Sequence, residues 1–326
     1  MAAKTATGTG KITLWGIEVF VAAADELSIT AAARRLGASP SAVSQQLTNL
    51  EAALGTALLN RNERPMSLTR AGALFRRRAQ TVLNVAARAR AELAMQDPST
   101  LTVLRLGMIE DFEADLTPRL LGDMAKELEN CQFVLETGPS HRLLEKLDQR
   151  ALDMVVGADM EGRGDGFEVH PILTDPFMAV VPSDAELGDD PLKALRAMPL
   201  ILYTERHHMG RLIAAHLARL NLTLSHRFEL DSYNAIMAMV AAGAGWTILT
   251  PLGYQHARRF QSQVRAVPLP FEAFSRRISL TARRGVLEEF PALTAARLRP
   301  LVKELVLAPT LGAMPWLADS LAVHEP

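Results

Sequence analysis

Ser41, Gln45 and Thr48 fall at the spacing that puts them on one face of a helix, with Ser44 and Asn49 beside them. That face is polar, uncharged and rich in short donors and acceptors, whereas a solvated face more often carries Lys and Glu. Amides and hydroxyls are the groups that reach base edges in a DNA major groove, and Gln pairs two-pronged with adenine. A second group is acidic: Glu110, Asp111, Glu113 and Asp115. Such carboxylates suit a cationic, amine-bearing or polyhydroxylated ligand, or none, and suit still better the start of the next helix, where the dipole favours acids. His207 and His208 stand beside Glu205, but adjacent histidines on a helix point to different faces, which disfavours a metal site. The chain has no Gly-Xaa-Ser-Xaa-Gly elbow, no phosphate-loop Gly-Lys-Ser/Thr and no His-Glu-Xaa-Xaa-His. Gly243-Ala244-Gly245 fits a helix-to-strand turn better than a phosphate cradle. The expectation is a protein that is not an enzyme and holds no cofactor and no metal.

The polar face needs a helix to carry it. Ser39 is a good N-cap, and Pro40 then falls at the first helical position, where its missing N–H costs nothing. Val43, Leu47, Leu50 and Leu54 share the opposite, apolar face. Upstream, Thr30–Leu36 reads as a short alanine-rich helix and Gly37-Ala38-Ser39 as a turn. Two helices joined by a short Gly-containing turn make a helix-turn-helix whose second helix reads DNA. Spacing alone equally allows an αα-hairpin in any helical domain. Ile17, Phe20, Val21 and Ala24 form a bracing helix, and Asn60–Thr69, with Arg61, Arg64 and Pro65, reads as a wing whose arginines could grip phosphates. Residues 70–95 predict a long helix of roughly 39 Å. Leu74, Phe75, Val82, Val85, Ala86, Ala89 and Leu93 fall on its broad apolar face, as helix-paired dimerisation requires, or packing on its own body. Asp97-Pro98-Ser99 then breaks it.

The formal net charge of −1 hides an asymmetry. Twelve of the 35 Lys and Arg residues but six of the 36 acids fall within residues 1–95, which leaves that stretch at +6 and the remainder at −7. A basic first third suits a polyanionic partner. The single cysteine, Cys131, forms no internal disulfide and has no Cys/His company for zinc, so a reducing cytosol is expected, with Cys131 as a small buried hydrophobe. Residues 1–12 have no apolar core and read as a disordered extension rather than a signal peptide. No apolar run reaches the length of a membrane span.

From Leu101 strands and helices alternate, which argues for an α/β body with mostly parallel sheet. Strands are expected at Leu101–Gly107, Gln132–Glu136, Asp153–Gly157, Phe177–Val181, Leu200–Tyr203, Arg227–Leu230, Trp246–Leu249, Val264–Val267 and Ile278–Ala282. Helices are expected from Pro118 to Leu128, His141 to Arg150 (capped by Ser140), Arg211 to Leu220, Ser232 to Ala242 and Glu288 to Leu305. Two similar lobes would cross near Glu168–Pro171 and Val264–Pro268. The tail after Pro309 is apolar in places and has no assigned role.

The whole chain resembles a LysR-type transcriptional regulator. Ser28-Ile29-Thr30-Ala31-Ala32-Ala33-Arg34-Arg35-Leu36, Ser39-Pro40-Ser41-Ala42-Val43-Ser44-Gln45-Gln46-Leu47 and Leu50-Glu51-Ala52-Ala53-Leu54-Gly55 carry the resemblance, with Arg61 and Leu68-Thr69-Arg70-Ala71-Gly72. Leu104–Gly107, Pro118, Leu152–Met154 and Val240–Trp246 match landmarks of that family's effector domain more weakly. The resemblance implies a winged helix-turn-helix, a dimerising linker helix and a two-lobed α/β domain like a type 2 periplasmic binding protein. It also implies a small-molecule effector between the lobes, a homodimer or homotetramer, a double-stranded DNA operator with inverted-repeat symmetry, and RNA polymerase as a further candidate partner. Leu59 stands where the family prefers Phe, and Gln45 where members often carry a basic residue.

On this reading the domains are an extension at 1–12, the DNA-binding domain at 13–70, the linker helix at 71–96, the effector domain at 100–306 and a tail at 307–326. Lobe 1 takes about 100–168 and 268–306, lobe 2 about 171–264. The DNA-contact candidates are Thr30, Arg34, Arg35, Ser39, Pro40, Ser41, Ser44, Gln45, Thr48, Arg61 and Arg64. Strand ends and helix N-termini at the lobe interface make Glu110, Asp111, Thr137, Ser140, Tyr203, Thr204, Glu205 and Thr250 the effector candidates. The competing class is a ligand-binding or catalytic α/β body with an incidental helical domain. Sequence-specific, salt-dependent binding to a symmetric duplex separates the two.

Overall fold

The computed structural model describes residues 11–61, 63, 66–94, 101–160 and 165–325. The expectations for residues 1–10, Arg64 and the Asp97-Pro98-Ser99 break lie outside the described residues, as do those for the side chains of Ala89 and Leu93. The chain forms two compact units, divided between residues 96 and 97.

The first unit is built on local signals. Helix α1 (Leu14–Glu26) starts at Thr13, whose hydroxyl accepts the Gly16 N–H at 3.0 Å. Helix α2 (Ile29–Arg35) is capped by Ser28, and α3 (Pro40–Leu54) by Ser39, whose Oγ accepts the Ala42 N–H. Pro40 takes the first turn of α3, and Gly55 ends it at φ 67°, a left-handed conformation that suits glycine. Val43, Leu47 and Leu50 turn inward onto Phe20 and its neighbours on α1. A short antiparallel ribbon, β1 (Leu59–Asn60) with β2 (Ser67–Leu68), forms the base of the wing, with Leu59 buried in the core. Helix α4 (Arg70–Ala94) then packs back on α1, Phe75 tilting against Phe20 with ring centroids 5.3 Å apart. Gly72 allows this approach: a Cβ there would lie 2.0 Å from the Leu58 carbonyl oxygen. The expected single apolar face of α4 is divided, since Phe75 and Ala79 pack into the core while Leu74, Val82 and Val85 stay exposed.

The second unit has two lobes. In lobe 1, β3 (Val103–Met108), β4 (Gln132–Thr137) and β5 (Met154–Ala158) are parallel, connected by α5 (Leu116–Glu127) and α6 (Ser140–Asp148). The chain then runs through β6 (Phe167–Pro176) into lobe 2, where β7 (Met178–Pro182), α7 (Pro191–Ala197), β8 (Leu200–Tyr203), α8 (His208–Arg219), β9 (His226–Leu230), α9 (Tyr233–Ala241), β10 (Thr247–Leu249), α10 (Pro251–His256) and β11 (Val264–Val267) follow. It returns along β12 (Ser275–Arg283), α11 (Phe290–Val302), a π-helical turn, α12 (Ala308–Ala313) and β13 (Ala322–Val323). The lobe 1 sheet has the order β13-β6-β12-β5-β3-β4. In lobe 2, β10-β7-β11 and β8-β9 are joined by a parallel bridge from Leu200 to Trp246. Gly245, at φ 152°, lets the backbone pass within reach of Pro199 to make that bridge.

Two expectations are corrected. The sheets are mixed rather than mostly parallel, because β6 and β12 enter through the excursion to lobe 2 and pair antiparallel with each other and with their neighbours. Glu168–Pro171 is not a crossing: these residues lie inside β6, paired along β12, and the chain leaves lobe 1 after Pro176. Pro171 sits where the register slips past Ile172, an irregularity that accommodates a residue without an N–H. The tail packs on the second unit: β13 extends the lobe 1 sheet along β6, and Leu317 and Leu321 are buried.

Candidate functional sites: a polar helix face and an interlobe cleft

In the first unit the geometry begins with the anchoring of α3. Val43, Leu47 and Leu50 are buried and Leu54 partly so, while Ser41, Gln45, Thr48 and Asn49 are left exposed and Ser44 half-exposed. The exposed side chains are held by short-range hydrogen bonds. Gln45 Nε2 donates to Asn49 Oδ1 at 2.9 Å, Thr48 Oγ1 donates to the Ser44 carbonyl at 3.0 Å, and Ser39 and Ser41 share a hydroxyl contact of 3.0 Å. Every one of these bonds can be exchanged for a base edge without exposing a buried group. Thr30, Arg34 and Pro40 are also exposed.

Two of the proposed phosphate grips are already engaged. Arg35 lies 3.4 Å from both Asp25 and Glu26, and Arg61 donates to Glu51 and, at 3.1 Å, to Thr48 Oγ1. Glu51 is the residue that sequence reasoning passed over. Its Oε1 accepts the backbone N–H groups of Leu58 and Leu59 at 2.7 and 3.2 Å, while Oε2 takes Arg61. One carboxylate thereby fixes the entry to the wing against the reading helix.

In the second unit a cavity of about 40 Å³ lies between the lobes. Lobe 1 contributes Glu110 and Asp111 after β3, Ser140 at the start of α6, and Ala158 ending β5. Lobe 2 contributes Tyr203 ending β8, His207, His208 and Met209 at the start of α8, and Tyr233 at the start of α9. Arg276 enters from β12. Among the expected residues, Glu110, Asp111, Ser140 and Tyr203 therefore meet at the cavity.

The other four stand elsewhere. Thr137 is half-exposed at the end of β4, outside the cavity lining. Thr204 is buried and bonds Glu229, and Glu205 is exposed. Thr250 is buried one step behind, capping α10 and accepting from Arg276 at 3.2 Å. Ser140 does not cap α6 as expected: Pro139 occupies the cap, and the Ser140 hydroxyl accepts the Ala158 N–H at 2.9 Å, which ties α6 to β5. His207 and His208 both reach the cavity because His207 is the extended residue preceding α8 rather than part of the helix.

Arg276 organises the charges. Nε donates to Asp175 at 2.8 Å, and Nη2 donates to Asp111 at 2.7 Å. Tyr233 OH adds a hydrogen bond to Asp111 at 3.2 Å. Burial pushes the Asp175 carboxyl up to about 6 against the pull of Arg276. Burial, and then the Asp111 charge, raise the phenols of Tyr203 and Tyr233. Burial also lowers His141, His207 and His208, which favours their neutral forms. Among the described residues no cluster of His, Cys, Asp and Glu has the makings of a metal site, and no helix is long and apolar enough to cross a membrane.

Both units have known counterparts. Residues 14–73 match the bacterial regulatory helix-turn-helix protein, lysR family, and residues 100–296 match the LysR substrate binding domain. A probable hydrogen peroxide-inducible genes activator of Mycobacterium avium is 30% identical over 280 residues, covering 83% of this chain and 88% of that protein. The HTH-type transcriptional regulator YfeR of Shigella flexneri is 29% identical over 239 residues, covering 72% and 77%. Among solved structures, a full-length OxyR variant of Pseudomonas aeruginosa has a TM-score of 0.67 at 22% identity, covering 89% of this chain and 95% of that one. Full-length CbnR complexed with its target DNA has a TM-score of 0.62 at 20% identity, covering 88% and 100%. These two show the shared fold. The family consists of DNA-binding transcriptional regulators with an effector-binding domain, not enzymes, and with matches across both of its units this chain belongs to the LysR family.

Proposed function

We propose that the chain binds an inverted-repeat operator through α3, assembles as a dimer of dimers, and answers to a small molecule seated in the interlobe cleft. The observation that carries the DNA reading is the exposed face of Ser41, Gln45 and Thr48, uncharged and backed by the buried Val43, Leu47 and Leu50. Ser39, Pro40 and Ser44 flank it, Thr30 and Arg34 supply neighbouring contacts, and Arg64 in the wing is a further phosphate partner. The exposed stripe of Leu74, Val82 and Val85 on α4 supports helix pairing between two copies. Linked dimers place half-sites whole helical turns apart. RNA polymerase is the partner through which such an operator complex would act.

The peroxide response in the name of the Mycobacterium avium relative does not transfer to this cleft. No cysteine lines it, and Cys131, half-buried rather than buried as expected, precedes β4, where burial raises its thiol and disfavours the reactive thiolate. Selection of bound duplexes from a random pool tests the proposal. Recovery of one inverted repeat is the expected result, and no enrichment at low salt from the folded oligomer would refute it. Gln45→Ala should then cost roughly 1–3 kcal/mol on the selected site and little on random duplex.

A further inference from the structure

The charged side chains that line the cavity are weighted toward carboxylates, Glu110 and Asp111 against Arg276, although the N-termini of α6, α8 and α9 also face it. Arg276, the guanidinium in its lining, is matched by two carboxylates, Asp111 and Asp175, and is only 5% exposed. Burial favours the neutral form of the two lining histidines. Glu110 has no such match: its carboxylate makes no hydrogen bond or ion pair among the described residues. Burial first, then the neighbouring charge of Asp111, raise the Glu110 carboxyl, with Glu113 and Asp231 acting the same way and His256 against them. An anionic guest would meet an unpaired carboxylate and no free guanidinium in the lining. A protonated nitrogen would remove the mismatch. At about 40 Å³ the cavity has room for roughly three water molecules, the scale of an ammonium head group.

We infer that the interlobe cleft selects a small organic cation, a primary amine whose ammonium group pairs with Glu110. This inference rests on the reading of the cleft as the effector site. It separates this chain from any regulator whose cleft answers to a carboxylate.

Calorimetric titration of the full chain tests it, with methylammonium, ethanolamine and putrescine set against glycolate and succinate. The expected result is binding of at least one amine and of neither carboxylate. Glu110→Gln should weaken that amine at least tenfold, and Ala158→Val, which fills the cavity from β5, should abolish its binding. Thermal melting and DNA binding of each variant confirm that it is folded. Binding of glycolate or succinate that tightens in Glu110→Gln would overturn the amine while leaving the cleft as the effector site. Amine binding unchanged by both substitutions would put the ligand elsewhere and overturn the cleft reading as well. No heat from any of the three amines at 10 mM would also overturn the proposal.

Discussion

Each unit of the chain holds an arginine bound to carboxylate and to a threonine hydroxyl, one acid in the first and two in the second, and the two arrangements differ chiefly in water. In the first unit Arg61 and Glu51 are 27% and 16% exposed at their side chains, with Thr48 beside them. In the second, Arg276, Asp111 and Asp175 are 5%, 4% and 0% exposed, with Thr250 beside them. Partly solvated ion pairs contribute little net energy, since water competes for both charges. Buried ones are held by necessity, because removing one member strands the others in a low-dielectric interior. The first arrangement can therefore rearrange when a polyanion arrives. The second fixes the meeting point of the two lobes.

The largest expected effect comes from breaking the buried set. Arg276→Met leaves Asp111 and Asp175 without their cation and should destabilise the second unit by roughly 3–5 kcal/mol. Denaturant unfolding followed at Trp246, which is buried in lobe 2, measures this. A loss below about 1 kcal/mol would mean that the lobes tolerate two uncompensated carboxylates and that the contrast with Arg61 is wrong.

Asp175 gives the next effect and a sign. Its folded carboxyl titrates at about 6, above the ordinary 3.8, so the folded protein holds the proton to a higher pH than the unfolded chain. The stability it contributes is complete below pH 4 and is lost as pH rises to about 6, by roughly 3 kcal/mol at most. Asp175→Asn should remove that slope, so the difference between wild type and variant should change between pH 4 and 6 and stay flat above. A constant difference across the range would show that Asp175 is ionised throughout, held by Arg276.

The same contrast explains what was legible in the sequence. Ser39, Pro40 and Gly55 bound α3 by local backbone chemistry, and Val43, Leu47 and Leu50 orient it by spacing, so its polar face follows from consecutive residues. The cleft brings together residues distant in the chain: Arg276 lies 165 positions from Asp111 and 101 from Asp175. Strand ends marked Glu110, Ser140 and Tyr203, because a parallel strand followed by a helix points its end at a ligand. No local pattern marked Arg276, which enters on an antiparallel strand, or Tyr233, which starts a helix. β6 was hidden by Pro171 and Pro176, which interrupt the alternation that identifies a strand. Arg61 looked free because its partner Glu51 stands ten residues earlier, on a different element.

In the solvated set, Glu51 should matter more than the arginine it binds. Glu51→Ala leaves the Leu58 and Leu59 N–H groups without their acceptor, at a cost of about 1–2 kcal/mol to the first unit. It should also loosen the wing relative to α3 and lower affinity for the selected operator. Glu51→Gln, which retains an acceptor oxygen, should recover most of the stability. Equal losses in both variants would mean that the charge on Glu51, not its grip on the backbone, holds the wing.

Arg61→Ala is the smallest and sharpest test. With the pair partly exposed, the first unit should lose less than about 1 kcal/mol. The salt dependence of operator binding decides the rest. A phosphate contact contributes a slope close to one in the logarithm of affinity against the logarithm of salt concentration. If Arg61 stays on Glu51 and Thr48 in the complex, its removal leaves that slope unchanged and affects affinity only through the position of the wing. A slope reduced by about one would mean that the guanidinium exchanges Glu51 for a phosphate on binding. Such an exchange is open to an ion pair that water already reaches and closed to Arg276, whose carboxylate partners are buried with it.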